Sequence, residues 1–318
     1  MLLTIALNPS VIRQINLDKL NYGNANVAQS DNLSVGDCGI YSAYVLKIMQ
    51  VDPYVMSITG GIGGRFVKNF LDRNRIKTDF LQVDYEIKTH LFISDISQNQ
   101  TTSIISHNNS LSQKDFVNIK HKLNHHLAET QIVAISGEDP YLPGIVDDIH
   151  AMSKDTKKII VNTRGNVIKE VLTRNVFATL IDYNDLSMLG IEFEFSEDCF
   201  EKIKMYQKAH HIRYIIIKTS NRLIGFTKSK ICMVSYEAKD SVFSIINSTV
   251  FGGLIVGIRR NYPFERMMKL MGTLANNCSL SEYPFIVNRH DINQGINKTK
   301  IIELFNARNG YCMGEQIW

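Results

Sequence analysis

A run of small residues at positions 247–257 could bind an anion late in the chain. Its glycines Gly252 and Gly253 open an apolar helix that the pattern predicts at 250–260. Backbone N–H groups at a helix start bind phosphate, and glycine lets an anion approach them closely. Taking a proton from an attacking hydroxyl needs a base, and neither glycine carries one. The run therefore predicts an anion site that lacks a general base.

Similar motifs of glycine and polar residues recur earlier in the chain. Asn8 follows the first apolar run, Gly36 and Gly39 precede a helical pattern, and the motifs at 60–64 and 136–137 follow two further apolar runs. Each motif alone is as consistent with a tight strand-to-helix turn as with a phosphate or sugar contact. Because the carboxyl ends of parallel strands meet at one edge of a sheet, the motifs together predict one shared site.

Short β-branched runs alternate with helical patterns through most of the sequence. Strands are predicted at 3–7, 54–59, 132–135, 158–162, 178–181, 213–218, 223–226 and 231–234. Helices are predicted at 41–49, 64–74, 113–126, 144–153, 165–173, 196–210, 250–260 and 263–276. This alternation predicts βαβ units and an α/β fold with a mainly parallel sheet flanked by helices.

Two regions, at about 12–33 and 86–106, interrupt this alternation. Their paired β-branched runs predict antiparallel strands that leave the main sheet as a small lid. The segment 281–318 is polar and weakly periodic, with a helical pattern only at 298–307. We expect residues 1–318 to form a single domain with the lid strands inserted in it and a divergent C-terminal segment.

Composition limits the classes of partner. The chain has 318 residues, of which 44% are hydrophobic and 21% charged, and this is typical of a folded soluble domain. A formal charge of +4 is spread without a basic block, so we expect no nucleic-acid partner and tolerance of small anions. No apolar run is long enough to cross a bilayer and no basic signal segment begins the chain, so we expect no membrane partner and a cytoplasmic location.

The cysteines and histidines do not form metal-binding patterns. The 5 cysteines are odd in number and include no C-x-x-C pair, which argues against a disulfide framework and a zinc site. The histidine pairs at 125–126 and 210–211 point to different faces of their helices and cannot chelate one metal. We therefore predict free thiols and no metal site. Tyr41 and Tyr44 share a helix face, where they either fill a pocket or form a stacking platform.

In their order, the motifs resemble those of the ribokinase-like (PfkB) carbohydrate kinases, most closely the 1-phosphofructokinase and tagatose-6-phosphate kinase branch. The resemblance covers about residues 1–280; its motifs are individually loose and jointly specific. It implies a ribokinase-like, Rossmann-like α/β fold with a β lid. It also implies a phosphosugar under the lid and Mg-ATP near the late hairpin and helix.

On the sugar side, the chain departs from the family pattern. The resemblance implies that the sugar-phosphate positions are Asn8, Gly36, Asp37, Gly39, Lys88 and His90. Asp37 stands where the family has a glycine, Cys38 replaces the lysine of the same motif, and Ile12 replaces an acid that holds sugar hydroxyls. Lys88 keeps one cation of the lid motif. An isolated phosphate would therefore meet a carboxylate where the family has a cation.

On the nucleotide side, the resemblance implies anion or nucleotide contacts at Gly252, Gly253, Asn184 and Lys218. Gly253 is aligned with the catalytic aspartate, and Lys218 begins a segment that has lost both glycines of the nucleotide loop. Asn162 replaces a further aspartate at a strand end. The candidate replacement acids are Asp139 and Asp182 at strand ends, and the more distant Asp240 and Glu265.

Three hypotheses follow. The leading one is a pseudokinase, a phosphosugar-kinase homologue that has lost most of its catalytic and phosphate-binding residues. The rival is an active carbohydrate kinase that transfers the ATP γ-phosphate to a phosphosugar, with Lys88 at the ligand phosphate, Mg-ATP at Gly252 and Gly253, and another acid as base. The third is a structural or regulatory subunit that pairs through its lid strands with itself or with an active homologue, since exposed antiparallel edges pair readily.

Overall fold

Parallel strands between two layers of helices form the core of the molecule. The computed structural model describes residues 1–107, 109–237, 243–278 and 289–312. The strands are β1 (Leu2–Ala6), β2 (Ser10–Leu17), β3 (Ser30–Gly36), β4 (Pro53–Thr59), β5 (Lys77–Gln82), β6 (Lys88–Asp95), β7 (Gln100–Ile105), β8 (Ile132–Ser136), β9 (Lys158–Asn162), β10 (Ala178–Asp182), β11 (Tyr214–Lys218), β12 (Arg222–Phe226), β13 (Lys230–Ser235), β14 (Ile302–Asn306) and β15 (Gly310–Tyr311).

Helices connect most of these strands. They are α1 (Cys38–Ile48), α2 (Gly61–Arg73), α3 (Gln113–Leu127), α4 (Leu142–Ser153), α5 (Val167–Leu172), α6 (Glu197–Ala209), α7 (Phe243–Arg259), α8 (Phe264–Asn276) and α9 (Arg289–Lys298), with a 3-10 helix at Tyr183–Leu189. None of those in the described part of the chain combines the length and the apolar character needed to cross a membrane.

The main sheet has the strand order β15-β14-β13-β12-β11-β10-β9-β8-β1-β4-β5. From β5 to β11 all neighbouring strands are parallel, whereas β11 to β15 pair antiparallel. The parallel part places the ends of β1, β8, β9 and β10 along one edge. The predicted α/β fold with a mainly parallel sheet is confirmed.

Side chains of the parallel strands alternate between two apolar cores. On β1, Leu2 and Ala6 join the core that contains α1, α2, α7 and α8, whereas Leu3 and Ile5 join the core that contains α3 to α6. All four side chains are at most 2% exposed. Because both faces of the sheet are covered, the strands appear in the sequence as continuous apolar runs.

A second sheet, of order β3-β2-β6-β7, forms the lid. β2 pairs antiparallel with β3, and β6 pairs antiparallel with β7. However, β2 and β6 are parallel, so the expectation of antiparallel pairing is wrong for this central pair. Both strands leave the same edge of the main sheet, β2 directly after β1 and β6 after β5, and they therefore run in the same direction.

Two other predictions of helix position were wrong. α7 begins at Phe243, so Gly252 and Gly253 lie inside the helix and do not open it. The pattern at 298–307 is not a helix, because α9 ends at Lys298 and β14 pairs with β13. In each case packing overrides local preference: the glycines allow close helix contacts, and β14 buries Leu304 completely at the side of the hairpin β12–β13. Residues 281–288 and 313–318 of the predicted C-terminal segment lie outside the described residues.

Candidate functional site

A cavity of about 110 Å³ lies where the carboxyl ends of β1, β8 and β9 meet the lid and the first turn of α1. Its lining includes four of the predicted sugar-phosphate residues, Asn8, Asp37, Lys88 and His90. Pockets for drug-sized ligands usually have about 300–1,000 Å³, so this cavity has room for a smaller group. A larger groove of about 1240 Å³, between α6 and the start of α8, contains none of the predicted sugar or nucleotide residues.

Asp37 links the lid to α1 in a backbone conformation that is rare for an L-residue. Its φ is 76° and its ψ is 139°, a region that only glycine adopts at low cost. The carboxylate caps the helix, since Oδ1 accepts hydrogen bonds from the N–H of Gly39 at 2.6 Å and of Ile40 at 3.2 Å. Ser136 Oγ donates to the same oxygen at 3.2 Å. Such backbone strain costs about 1–3 kcal/mol, and a helix cap contributes about 0.5–2 kcal/mol against it.

The surroundings of Asp37 disfavour its negative charge. Burial raises the pKa of Asp37 to about 7, against the lowering effect of its hydrogen bonds. The carboxylate of Glu138, which also lines the cavity, adds to the rise. Burial and the neighbouring Asp37 also raise the pKa of the Cys38 thiol well above its usual value, so Cys38 is a poor nucleophile.

The glycines on either side of Asp37 bring α1 close to the sheet. Gly36 ends β3 opposite Ser10 of β2. A Cβ atom at Gly39 would lie 2.5 Å from Ser136 Oγ and 2.7 Å from Ala6 Cβ. Both glycines are buried beside the cavity and do not line it. In this structure they position the helix start.

Positive charge in the cavity comes from Lys88 and from Arg164, a residue that the sequence analysis did not single out. Arg164 lies in the loop directly after β9. His90 contributes no positive charge near neutral pH, because burial, with help from Lys88 and Arg164, lowers its pKa to about 4. The cavity therefore combines two cations, a neutral imidazole and the carboxyl groups of Asp37 and Glu138.

Two asparagines tie the strand ends together. Asn8 Oδ1 accepts a hydrogen bond from the N–H of Glu138 at 2.7 Å, which joins the loops after β1 and β8. Asn162 is 6% exposed, and its Nδ2 donates to the carbonyl of Leu180 on β10 at 3.0 Å. An aspartate at this position could not donate that bond. The amide thus has a local structural role that the family's acid could not fill.

α7 presents Asn247 and Ser248 to the cavity. Asn247 is 3% exposed, and its Oδ1 has no hydrogen-bond partner among the described residues. The same holds for Oγ1 of Thr163, which is 2% exposed and lines the cavity from the loop after β9. Buried polar atoms are nearly always hydrogen-bonded, so both atoms indicate a polar ligand or water in the cavity.

The expectation that Gly252 and Gly253 form an anion site at a helix start is wrong in its geometry. Both are buried in the interior of α7, where backbone N–H groups are used within the helix. A Cβ atom at Gly252 would lie 2.9 Å from Val45 Cβ of α1, and one at Gly253 would lie 2.8 Å from Leu274 Cδ1 of α8. The pair lets α7 pack closely between its neighbours.

The predicted nucleotide residues Lys218 and Asn184 both contact the carboxylate of Asp182. Lys218 Nζ, on a side chain that is 1% exposed, lies 2.8 Å from Asp182 Oδ2. Asn184 Nδ2 donates to Asp182 Oδ1 at 2.9 Å. Burial alone would raise the pKa of Asp182, but the Lys218 ammonium and the N–H of Asn184 outweigh it and lower the pKa. Asp182 is therefore an ion-pair partner, and it does not line the cavity.

The other candidate acids are also used elsewhere. Asp139 is 1% exposed and accepts hydrogen bonds from the N–H of Leu111 and of Tyr141, so it fixes loops and does not face the cavity. Glu265 forms an ion pair with Lys230 on another side of the molecule. Asp240 lies outside the described residues. Within the described ranges, no group of three or more His, Cys, Asp and Glu side chains could hold a metal ion.

Tyr41 and Tyr44 pack inside the protein. Tyr41 is 2% exposed, its ring lies edge-on to that of Tyr44 at 5.7 Å, and Tyr44 in turn contacts Phe70 of α2. Neither ring lines the cavity. Of the two alternatives left open by the sequence, a platform for a ligand is therefore wrong at this cavity, and the rings fill space between α1 and α2.

Curated relatives of the chain are named as phosphosugar kinases. A 1-phosphofructokinase of Borreliella burgdorferi is 30% identical over 179 residues, which cover 56% of this chain and 57% of that protein. A 1-phosphofructokinase of Bacillus subtilis is 22% identical over 289 residues, 89% of this chain and 93% of that protein. A tagatose-6-phosphate kinase of Staphylococcus epidermidis is 28% identical over 196 residues, 59% of this chain and 62% of that protein.

The first and third of these matches span less than two thirds of the relatives' own length. No protein-family model matches the chain. Among solved structures, phosphofructokinase-2 of Escherichia coli in complex with fructose-6-phosphate has a TM-score of 0.80 at 15% identity, with 93% of this chain and 98% of that chain covered. A possible 1-phosphofructokinase of Thermotoga maritima has a TM-score of 0.81 at 17% identity, with 95% and 99% covered.

At such low identities the structural likeness establishes the fold alone. Together with the named relatives, it confirms the resemblance that the order of the motifs indicated. The chain is a homologue of 1-phosphofructokinases and tagatose-6-phosphate kinases, and it has the ribokinase-like fold of PfkB-family phosphofructokinases.

Proposed function

We propose that this chain is a pseudokinase, a phosphosugar-kinase homologue that binds a small polar ligand in the cavity and does not transfer phosphate at a useful rate. The observation that carries the proposal is the amide of Asn247. α7 is the helix on which the resemblance expects the catalytic acid, and the side chains that it directs to the cavity are those of Asn247 and Ser248. An amide cannot accept the proton of an attacking hydroxyl, and loss of a general base alone lowers rates by about 10²- to 10⁴-fold.

The nucleotide side supports the same proposal. Phosphoryl transfer depends on cations and N–H groups that stabilise the charge of the transferred phosphoryl group. Here Lys218 and Asn184 are engaged by Asp182, and Gly252 and Gly253 use their N–H groups inside a helix. Tyr236, 4% exposed, donates from its hydroxyl to the carbonyl of Thr219 and so closes the hairpin loop. These residues do not fit a triphosphate with its metal, and we assign no step to Mg-ATP.

Kinase assays test the proposal directly. The purified chain is incubated with Mg-ATP and either fructose 1-phosphate or tagatose 6-phosphate, and ADP formation is followed. We expect no ADP above the background of a heat-treated sample, and no thermal shift with Mg-ATP at millimolar concentration. ATP-dependent turnover of either sugar at rates typical of kinases, about 1–100 per second, would refute the proposal.

One observation favours the rival, an active kinase with a rearranged site. The carboxyl groups of Asp37 and Glu138 both line the cavity, and a carboxyl group with a pKa near 7 is suited to proton transfer. If one of them is the base, Asp37→Asn or Glu138→Gln lowers the turnover number at least about 100-fold and leaves the KM for ATP almost unchanged. A chain that is inactive before substitution excludes this reading for the two sugars tested.

The lid supports a proposal about assembly. Leu33 of β3 and Ile104 of β7 are 43% and 52% exposed. They lie in one row across the sheet, because Leu33 pairs with Arg13, Arg13 pairs with Leu91, and Leu91 pairs with Ile104. Directly paired residues point to the same face, and the cavity-facing residues Ile12 and His90 belong to the neighbouring row on the other face. The outer face is thus partly apolar, which suits a homodimer formed through the lid.

A further inference from the structure

The amino terminus of α1 offers free donors to a ligand anion only if no side chain of the protein accepts from them. In this chain the N–H groups of Gly39 and Ile40 both donate to Asp37 Oδ1. A negative group at this position is stabilised by the same N–H groups and helix dipole that bind phosphate. We propose that Asp37 is a built-in occupant of this anion site and that it excludes phosphate-bearing ligands from the α1 end of the cavity.

The backbone of Asp37 supports a specific role for its carboxylate. The residue is held at φ 76° and ψ 139°, a conformation that glycine adopts readily and that aspartate adopts at a cost. An ordinary helix cap does not require this: Ser112 caps α3 and Ser196 caps α6 from extended backbone with negative φ. The strained backbone at Asp37 therefore directs the carboxylate to the start of α1.

The cavity also shows that a ligand is expected beside this carboxylate. Thr163 Oγ1 and Asn247 Oδ1 are buried, line the same cavity and lack partners among the described residues. A hydroxyl group and an amide bind hydroxyls of a ligand well, whereas they do not neutralise a charge. A phosphate placed within about 4 Å of the Asp37 carboxylate would meet strong repulsion at low effective dielectric constant. Lys88 and Arg164 also line the cavity, so the exclusion applies to the N–H donors at the α1 end, where the geometry favours hydroxyl groups of a small ligand over a phosphate.

This inference deepens the proposed function, because it specifies which ligands the non-catalytic cavity accepts. Its test uses no ATP and measures no turnover, so that it can fail while the pseudokinase proposal stands, and the reverse also holds. Inorganic phosphate is titrated into the full chain at pH 8 and constant ionic strength, and binding is measured by calorimetry and by thermal shift.

The decisive variant is Asp37→Gly, which frees the two N–H groups and relaxes the backbone, so that it is expected to fold. We expect it to bind phosphate at least about tenfold more tightly than the unmodified chain. Asp37→Asn removes the charge but keeps an oxygen on the same N–H groups, and we expect a much smaller gain. Asp52→Gly is the matched control, because it removes one carboxylate from the exposed surface beyond the other end of α1.

Three results would overturn the inference. The first is phosphate binding by Asp37→Gly that is no tighter than that of the unmodified chain. The second is an equal gain in phosphate affinity for Asp52→Gly, which would show that the effect depends only on the net charge of the chain. The third is an equal gain in Asp37→Asn, which would show that the carboxylate repels phosphate from a distance and does not occupy its site.

Discussion

At the residue scale, Asp37 combines three features: its carboxylate caps a helix, its backbone is strained, and its surroundings destabilise its negative charge. The hydrogen bonds from Gly39, Ile40 and Ser136 stabilise the ionised carboxylate, yet burial outweighs them and brings its pKa to about 7. The free energy of unfolding therefore depends on pH through this side chain. Because the pKa is raised above that of the unfolded chain, the folded state binds more protons between about pH 4 and pH 7.

It follows that Asp37→Asn should stabilise the protein more at pH 8 than at pH 5. The contribution of Asp37 to stability is largest at low pH and is lost as pH rises through about 7, when the partly buried group ionises. The difference in the free energy of unfolding between variant and parent should grow by about 1–3 kcal/mol between these pH values. Urea unfolding at both pH values measures it.

His90 titrates in the same range with the opposite sign, because its pKa is lowered to about 4. The contribution of His90 to the free energy of unfolding is the same in parent and variant, so it cancels when the two values are subtracted. Asp52→Asn, at an exposed ion pair with Lys47, serves as the control and should give the same small difference at both pH values. A pH-independent difference for Asp37→Asn would contradict the expected pKa.

The ion pair of Lys218 and Asp182 gives a second prediction at this scale. Lys218 is 1% exposed, so that Asp182→Asn leaves a buried ammonium without its carboxylate. We expect a loss of about 3 kcal/mol in the free energy of unfolding. The double variant Lys218→Met with Asp182→Asn should lose less than Asp182→Asn alone, because no buried charge remains. Urea unfolding of the parent, both single variants and the double variant gives a double-mutant cycle. If the losses in the free energy of unfolding of the single variants simply add up in the double variant, the two residues are not coupled.

At the element scale, α7 is held by its glycines between α1 and α8. Alanine at Gly252 would add a Cβ atom 2.9 Å from Val45 Cβ and 3.3 Å from the carbonyl oxygen of Ser42. The helix preference of alanine favours the variant by about 1 kcal/mol, whereas overpacking costs about 1–3 kcal/mol. We expect a net loss of up to about 2 kcal/mol in the free energy of unfolding for Gly252→Ala.

Gly144→Ala in α4 is the matched control for this variant. Its Cβ atom would meet only the ring of Phe116, a side chain that can shift, with the nearest atom at 3.2 Å. The same helix preference favours this variant and only this contact opposes it, so we expect no net loss in the free energy of unfolding. A stabilising Gly252→Ala would mean that α7 is not packed closely on α1. Thermal and urea unfolding of the two variants decide the question.

The same glycines show which elements the sequence could reveal. The strand 158–162 was predicted with its exact bounds because both of its faces are buried, and such a run is apolar whatever the rest of the fold. The start of α7 was missed because Gly252 and Gly253 were interpreted by local preference. Gly252 has to be small because of Val45, more than two hundred residues away in the chain, and Gly253 because of Leu274 on α8.

In the candidate site, too, the sequence reveals some of the residues and not others. Asn8, Asp37, Lys88 and His90 could be predicted because the order of the motifs places them at strand ends and on the lid. Arg164 was missed because none of the motifs described above includes it. Thr163 and Asn247 are recognisable only by their buried atoms without partners, which need coordinates to be seen. Asp139 was expected at the cleft, but its carboxylate turns to the N–H of Leu111.

At the scale of the whole molecule, the lid has two faces with different tasks. One face covers the cavity with Ile12, Lys88 and His90. The other carries the row that contains Leu33 and Ile104 and is open to solvent in the isolated chain. Polar residues would be sufficient for a lid that only opens and closes over a ligand. The exposed apolar side chains of Leu33 and Ile104 in this row are explained if a second copy of the chain covers them, and the lid strands then join ligand binding to assembly.

This argument predicts that the chain is a dimer in solution and that Leu33→Asp combined with Ile104→Asp makes it a monomer. Each side chain is about half exposed in the isolated chain, so the substitutions should cost little folding stability, while two buried carboxylates at a symmetric interface are strongly unfavourable. Val117→Asp, on α3 at 42% exposure, is the matched control and should leave the dimer intact. Analytical ultracentrifugation over a range of concentrations measures all three chains, with unfolding curves to verify that each is folded. A parent chain that stays monomeric at every concentration, or a double variant that still dimerises, would exclude the lid as the interface.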